Sequence, residues 1–210
     1  MIDWSLEGPS TWHEPMEHNL SDELNSEQTR AQDLGEGSFS VSSALIFYAL
    51  MGGFALVASV LLGVFDTAWF DYQQMDLILG ISGASLYIIS SQLYFKFSAS
   101  ARALKKEMVR LLGRLTPVQI LMLTLGSAIG EELLFRGWLQ SHFGLVLTSI
   151  GFGACHGGFI GRFLPWSIAS TFAGLMFGGM MDVTGSLWGP ILAHGVVNGV
   201  GLTLMRLEHE

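Results

Sequence analysis

From residue 41 onward, long apolar runs alternate with short polar segments. Four runs are long, at 41–65, 77–97, 118–139 and 186–205, and two are shorter or rich in glycine, at 143–160 and 163–181. About 20 apolar residues in a helix cross the hydrocarbon core of a bilayer. The pattern therefore predicts an all-α, polytopic membrane helix bundle with about six transmembrane helices, or with five if one of the weaker runs does not cross.

The composition supports a membrane protein. Half of the residues are hydrophobic and 13% are charged, whereas roughly a quarter are charged in a typical soluble domain. The 26 glycines include four G-x-x-x-G pairs, a pattern that lets membrane helices approach closely. The pairs are Gly126/Gly130, Gly153/Gly157, Gly174/Gly178 and Gly195/Gly199. They predict a tightly packed bundle.

The basic residues predict the orientation of the bundle. Most of them fall in the segment between the second and third apolar runs, namely Lys96, Arg102, Lys105, Lys106, Arg110 and Arg114. The positive-inside rule places this segment in the cytoplasm, and both termini then lie there too. Its mixture of basic and apolar residues is typical of an interfacial helix. We expect a multi-pass protein of the cell (inner or plasma) membrane, surrounded by the lipid bilayer.

Three regions follow along the chain. Residues 1–40 carry nine acidic residues and one basic residue, which predicts an acidic, disordered cytoplasmic tail without a secretory signal. Residues 41–115 would form two transmembrane helices and the basic loop, and residues 116–206 about four more. The acidic balance gives no indication of nucleic-acid binding. We expect Cys155, in an apolar run, to be packed, and Trp138, Trp166 and Trp188 to lie at the membrane interfaces.

Three polar signatures interrupt the predicted spans between residues 116 and 206. They are Glu131-Glu132-x-x-x-Arg136, Phe152-x-x-x-His156 and His194-x-x-x-Asn198. An ionisable side chain in a bilayer costs a few kcal/mol or more, so such residues are rare there and mark function by default. Their occurrence together predicts an active site inside the membrane.

Helical spacing assigns different tasks to the two glutamates. Glu132 and Arg136 are four residues apart, on one face, so the guanidinium can neutralise and orient Glu132. Glu131 points about 100° away and is left to face the bundle interior. A desolvated carboxylate is a good general base for water. A buried ion pair that fixes helix packing would explain Glu132 and Arg136 equally well, but it would not explain Glu131.

The two later signatures supply partners for that base. His156 lies among glycines that leave room for water or substrate, and it can help to hold and deprotonate a water molecule. His194 and Asn198 lie one turn apart on one helix face, where both can donate hydrogen bonds to a developing oxyanion. Interhelical hydrogen bonding is the alternative role for these side chains.

In this order on successive membrane helices, the three signatures resemble the CPBP family, which comprises CAAX proteases and bacteriocin-processing enzymes and is also called Abi. The resemblance covers about residues 116–205 and includes the approach to the last motif at 184–194. It implies a glutamic-type intramembrane endopeptidase without a metal or other cofactor. In it, Glu131 and His156 activate water, while His194 and Asn198 stabilise the oxyanion. Glu132 and Arg136 support the first motif, and Phe152 shapes the site.

The substrate expected from this resemblance is a membrane-associated protein or peptide. The prenyl-protein endopeptidases of the family usually have eight spans, and this chain has about six. The sequence therefore favours a peptide or the tail of a membrane protein over a prenylated substrate, and it does not indicate a cleavage site.

Three alternatives stay open at this point. Glu131, His156 and His194 could form a Glu-His-His zinc site, although the chain lacks H-E-x-x-H. Ser82, in the segment Gly80-Ile81-Ser82-Gly83, could be the nucleophile of a rhomboid-like serine protease. The chain could also be a non-proteolytic binding or immunity protein of the membrane.

Overall fold

A computed structural model describes residues 40–208, in which all regular structure is helical. The helices are α1 (Val41–Leu61), α2 (Gln74–Phe97), α3 (Ala99–Leu112), α4 (Pro117–Glu132, continued by a π-helical segment Leu133–Leu139), α5 (Gln140–Gly157), α6 (Leu164–Thr184) and α7 (Trp188–Leu207). Short 3₁₀ turns cover Thr67–Phe70 and Gly161–Phe163. The predicted acidic tail falls outside the described residues, except for Ser40. The all-α bundle that the apolar runs predict is confirmed.

A reversal at Gly144 turns α4 and α5 into a helical hairpin. Helical structure is continuous from Pro117 to Gly157 apart from Gly144, whose φ of 73° lies in the region that favours glycine. Phe135 and Phe152 meet with ring centroids 4.9 Å apart, so the two helices run antiparallel from this turn. The part of α5 beyond Gly144 is about 20 Å long at 1.5 Å per residue. It is therefore shorter than the roughly 30 Å hydrocarbon core.

Basic residues gather at one end of the bundle. Lys105 on α3 forms an ion pair with Glu208, which follows α7. Glu107 on α3 lies 3.3 Å from Arg162, which precedes α6. Ser98 caps the start of α3 by accepting a hydrogen bond from the Ala101 amide. The predicted interfacial helix thus lies across this end, which the positive-inside rule assigns to the cytoplasm.

The opposite end holds the loop between α1 and α2 and the turn between α6 and α7. Trp69 O accepts a hydrogen bond from the backbone amide of Leu187 at 2.9 Å, and the side-chain Nε2 of Gln73 donates to Thr184 O at 2.8 Å. Gln140, near the α4–α5 reversal, donates to Asp182 at 2.7 Å. Acidic residues are therefore concentrated at this end and basic residues at the other.

Three of the four G-x-x-x-G pairs, all but Gly195/Gly199, lie where helices cross closely. A Cβ atom on Gly130 would lie 2.7 Å from Tyr48 O on α1, and one on Gly153 would lie 2.5 Å from Ser167 O on α6. One on Gly174 would lie 3.0 Å from the Ser149 Cα on α5. Backbones approach this closely only where the side chain is absent. The tight packing predicted from these pairs is confirmed.

Four helices of the described chain are long and apolar enough to cross a membrane. They are Val41–Leu61, Gln74–Phe97, Pro117–Gly157 and Gly161–Thr184. The third of these contains both arms of the hairpin. The helix α7, which carries His194 and Asn198, is not among the four. The chain is a multi-pass membrane protein, while the count of six spans and the cytoplasmic termini stay predictions.

Candidate active site

The first signature lies where α4 passes into its π-helical segment. Arg136 and Glu132 form the ion pair expected from their spacing, with 3.1 Å between Nε and Oε2, and both side chains are fully buried. The guanidinium also lies 3.4 Å from Gly174 O on α6. Single turns of π-helix within α-helices are frequent at functional sites. The π-helical turn was not predicted from the sequence.

Glu132 has a second partner, on α7. Its Oε1 accepts a hydrogen bond from Nδ1 of His194 at 2.8 Å. One carboxylate therefore contacts both Arg136 and His194, and it ties the first signature to the third. The spacing argument predicted only the contact with Arg136, because the other partner is 62 residues away.

Glu131 faces the bundle interior, as its position on the helix predicts. Its Oε2 has no hydrogen-bond partner within the described chain, although it is buried. Nε2 of His156 lies 3.6 Å from this oxygen, and Nε2 of His194 lies 3.9 Å from it. Two imidazole rings from two different helices thus converge on one carboxylate oxygen.

The Nδ1 contacts place a proton on Nδ1 of both rings. Nδ1 of His156 lies 2.7 Å from Phe152 O, and a carbonyl oxygen can only accept a hydrogen bond. Nδ1 of His194 meets the carboxylate of Glu132, which is paired with Arg136. Each ring therefore carries a proton on Nδ1 and directs Nε2 towards Glu131. A neutral ring in this tautomer presents a lone pair there.

Aromatic rings form the walls of this cluster. Phe152 lies 4.5 Å below the Arg136 guanidinium and 4.4 Å from the His156 ring. Phe177 stacks on His194, with 5.2 Å between centroids and 17° between planes. Trp166 meets His156 edge-on at 5.4 Å. Phe152, which was predicted to shape the site, lies in this wall together with Phe177 and Trp166, which were not predicted as site residues. Trp166 was predicted as an interface residue, and no local pattern marks Phe177.

Asn198 does not contact Glu131 or the histidines directly. Its Nδ2 donates to Oγ of Ser127 at 2.9 Å. Ser127 lies one turn before Glu131 on α4 and is buried. Ser127 belongs to none of the three signatures, although its position four residues before Glu131 places it on the same helix face.

A cavity of about 1030 Å³ begins at these polar side chains and extends towards α3. Its polar wall contains Ser127, Glu131, His156, His194 and Asn198. Most of the rest is apolar or aromatic and comes from α2, α3, α6 and α7. Leu86 on α2 and Phe172 on α6 line the cavity and are each 65% exposed on the bundle surface. The cavity therefore reaches the lateral surface between α2 and α6.

Helix α3 covers the basic end of this cavity. Leu104 and Met108 line it, and the two ion pairs of Lys105 and Glu107 attach the helix to the ends of α7 and α6. A hydrogen bond from Arg110, at 2.9 Å, and the charges of Arg110 and Arg162 lower the pKa of Glu107 below its ordinary value. Glu107 therefore stays ionised over a wide pH range.

The alternatives find less support in this geometry. Among residues 40–208, no group of three or more His, Cys, Asp or Glu side chains is arranged to hold a metal ion. Ser82 is exposed, its hydroxyl donates to Ile78 O of its own helix at 2.6 Å, and it lines a different, smaller pocket.

Cys155 is exposed, so its expected packed position is wrong. Its apolar neighbours mark a surface that faces lipid and not the core.

Comparison with known proteins assigns this part of the chain. Residues 113–200 match the family model described as Type II CAAX prenyl endopeptidase Rce1-like. The resemblance to the CPBP family is thereby confirmed for this segment, which contains every residue of the three signatures.

One curated relative was found in Bacillus subtilis (strain 168), where it is described as uncharacterized protein YpbD. The two sequences are 39% identical over 90 residues, which cover 43% of this chain and 47% of the relative. The matched part thus spans about half of that protein. No solved structure matches the chain.

Proposed function

We propose that this protein is an intramembrane endopeptidase that hydrolyses a peptide bond with a water molecule activated by Glu131 and His156. The observation that carries this proposal is the buried Oε2 of Glu131, which has no hydrogen-bond partner in the described chain and faces two Nε2 atoms at 3.6 and 3.9 Å. Acceptors that converge in this way suit a water molecule, which donates a proton to each of two of them. The similarity of residues 113–200 to Rce1-like endopeptidases supports the same reaction class.

The proposed reaction has two steps. The oxygen of the water molecule bonds to the scissile carbonyl carbon while Glu131 accepts one of the water protons, and the carbonyl electrons form an oxyanion. The C–N bond then breaks, and the departing amine takes the proton that Glu131 holds. His156 accepts a hydrogen bond from the other hydrogen of the water molecule. This bond orients a lone pair of the water oxygen towards the carbonyl carbon.

His194 and Asn198 would stabilise the oxyanion. To donate through Nε2, the ring must carry a proton on both nitrogens, and the Glu132 carboxylate then accepts the hydrogen bond from Nδ1 and keeps the ring in this orientation. Asn198 supplies the second donor through its amide.

The walls of the cavity suggest a substrate that lies in the membrane. A segment of a membrane protein or an apolar peptide would enter between α2 and α6, where the side chains of Leu86 and Phe172 lie both on the cavity and on the surface of the bundle. Such a segment would bring its backbone to Glu131 from the lipid phase.

The decisive experiment compares cells that produce the wild-type chain with cells that produce Glu131→Gln. Membrane proteomics would map new protein C-termini in both. Glutamine keeps the shape of the side chain but cannot take a proton from water, so we expect at least one C-terminus to be absent only in the variant. Identical sets of termini, with both proteins folded and equally abundant, would favour the non-proteolytic binding or immunity role.

The zinc alternative is tested on the same cleavage. A peptide that spans the mapped cleavage site would be incubated with purified protein, with and without a chelator. Hydrolysis by Glu131 and His156 alone predicts equal rates. A loss of activity that added Zn²⁺ restores would support a Glu-His-His metal site instead.

A further inference from the structure

The side chain of Asn198 is held by Ser127, which lies outside all three polar signatures. Its Oγ accepts the hydrogen bond from Nδ2 of Asn198 at 2.9 Å across the interface of α4 and α7. Ser127 is buried, 4% exposed, and it lines the same cavity as Glu131. A buried polar contact of this kind has few competitors from water, so it fixes the side chain that it holds.

The hydroxyl of Ser127 also decides which way the amide of Asn198 points. Its proton is directed to Thr124 O at 3.3 Å within its own helix. A lone pair therefore faces α7, and only the NH₂ group of the amide can bond to it. The second N–H of Nδ2 is then left for another acceptor. A flipped amide would present Oδ1 to an oxyanion and repel it.

The backbone spacing of α4 and α7 supports this contact. Ser127 meets Asn198 one turn away from the level at which Glu131 faces His194, so the two helices pair antiparallel at two levels. Gly199 faces Thr124 at this crossing, and an added Cβ would lie 3.6 Å from the methyl group of Thr124, an ordinary van der Waals distance. The two helices are thus in contact beside the bond of Ser127 to Asn198.

We propose that Ser127 is a positioning residue that holds the Asn198 amide ready to donate a hydrogen bond to the oxyanion. This inference rests on the endopeptidase function proposed above. Ser127 itself does not touch the reacting atoms and acts through Asn198. Its removal should therefore lower kcat and leave KM nearly unchanged, because the oxyanion exists only in the transition state.

A double-mutant cycle tests the inference with a peptide that spans the mapped cleavage site. Ser127→Ala, Asn198→Ala and the double variant would be compared under single-turnover conditions. Loss of an oxyanion donor costs about 10²- to 10³-fold in kcat. We expect Ser127→Ala to lose roughly ten-fold or more in the wild-type background and nothing further in the Asn198→Ala background. Ser59→Ala is the matched control, because Ser59 is fully buried but bonds only to Ala55 O of its own helix.

The outcomes separate this inference from the proposed function. Equal losses from Ser127→Ala in both backgrounds would mean that it acts on stability or elsewhere in the site, and would overturn the positioning role. An inactive Asn198→Ala beside a fully active Ser127→Ala would also overturn it and leave the endopeptidase proposal intact. Full activity of Glu131→Gln would overturn both.

Discussion

His194 and Glu132 are joined by a buried 2.8 Å hydrogen bond that crosses from α7 to α4. The same carboxylate is paired with Arg136 at 3.1 Å. Glu132 is thus the residue through which the first and third signatures are held together. Glu131, its neighbour in the chain, has no comparable bonds and is the residue that faces the cavity. The two glutamates should therefore respond differently to the same substitution.

Glu132→Gln should lower both stability and activity. The neutral amide leaves the fully buried Arg136 without a counter-charge and weakens the orientation of His194. Breaking a buried ion pair on one side costs about 3–5 kcal/mol, so the thermal midpoint of the detergent-solubilised protein should fall clearly. Glu131→Gln is the matched control and should keep a wild-type midpoint. Equal midpoints for Glu132→Gln and wild type would contradict the structural role of Glu132.

Gly153 and Gly151 lie on the same helix and should give opposite results when changed to alanine. A Cβ at Gly153 would lie 2.5 Å from Ser167 O, whereas one at Gly151 meets no atom within 4 Å. Gly153→Ala must push α5 away from α6 and should cost about 1–3 kcal/mol. Since His156 follows on α5, the same change should reduce activity.

Gly151→Ala should be neutral or should stabilise the protein by about 0.5–1 kcal/mol, because alanine is the better helix former. Thermal midpoints and cleavage rates of the two purified variants check both expectations. If the two variants behave alike, the close crossing of α5 and α6 is not what requires glycine at position 153.

Ser82→Ala should leave proteolysis unchanged. The Ser82 hydroxyl is exposed and bonded to its own helix, and it does not line the cavity that holds His156 and His194. The Glu131-dependent cleavage rate should stay within about two-fold of wild type, as is usual for a surface substitution away from the site. A large loss of cleavage in a folded Ser82→Ala variant would revive the serine-protease alternative.

The contribution of Glu107 to stability should depend on pH. Its pKa is lower in the folded protein than in the unfolded chain, because Arg110 and Arg162 stabilise the carboxylate. This contribution is therefore fully present above the unfolded pKa, and it is lost as the pH falls through the folded pKa.

Thermal midpoints of wild type and Glu107→Gln, measured from about pH 7 down to about pH 3, check this expectation. The difference between the two proteins should shrink as the pH falls. Comparing them at each pH cancels the titration of the other groups. A difference that stays constant would show that the carboxylate of Glu107 does not hold α3 in place.

Local periodicity made the helices and part of the site predictable. The apolar runs located the helices within a few residues, and four-residue spacing gave the contact of Glu132 with Arg136 and the free face for Glu131. Each of these relationships lies within a single helix, so residue spacing along the sequence is enough to predict it. The match of residues 113–200 to Rce1-like endopeptidases agrees with the order of the signatures.

The contacts that could not be predicted from the sequence form between two different helices. The bond of Ser127 to Asn198 joins residues 71 positions apart, and the stacking of Phe177 on His194 joins α6 to α7. Which rows of side chains face each other is set by close backbone crossings and by the Gly144 reversal. The π-helical turn after Glu132 likewise depends on how α4 packs against its neighbours, and no spacing pattern in the sequence encodes it.

The shortness of α5 beyond Gly144 affects how the reaction would obtain its water. A helix of about 20 Å cannot match the full hydrocarbon thickness, and a bilayer thins locally around such a segment. Polar headgroups and bulk water should therefore dip towards His156 at the basic end of the bundle. The proposed hydrolysis in the membrane would then need no dedicated water channel, because the deformed lipid surface would bring solvent to His156.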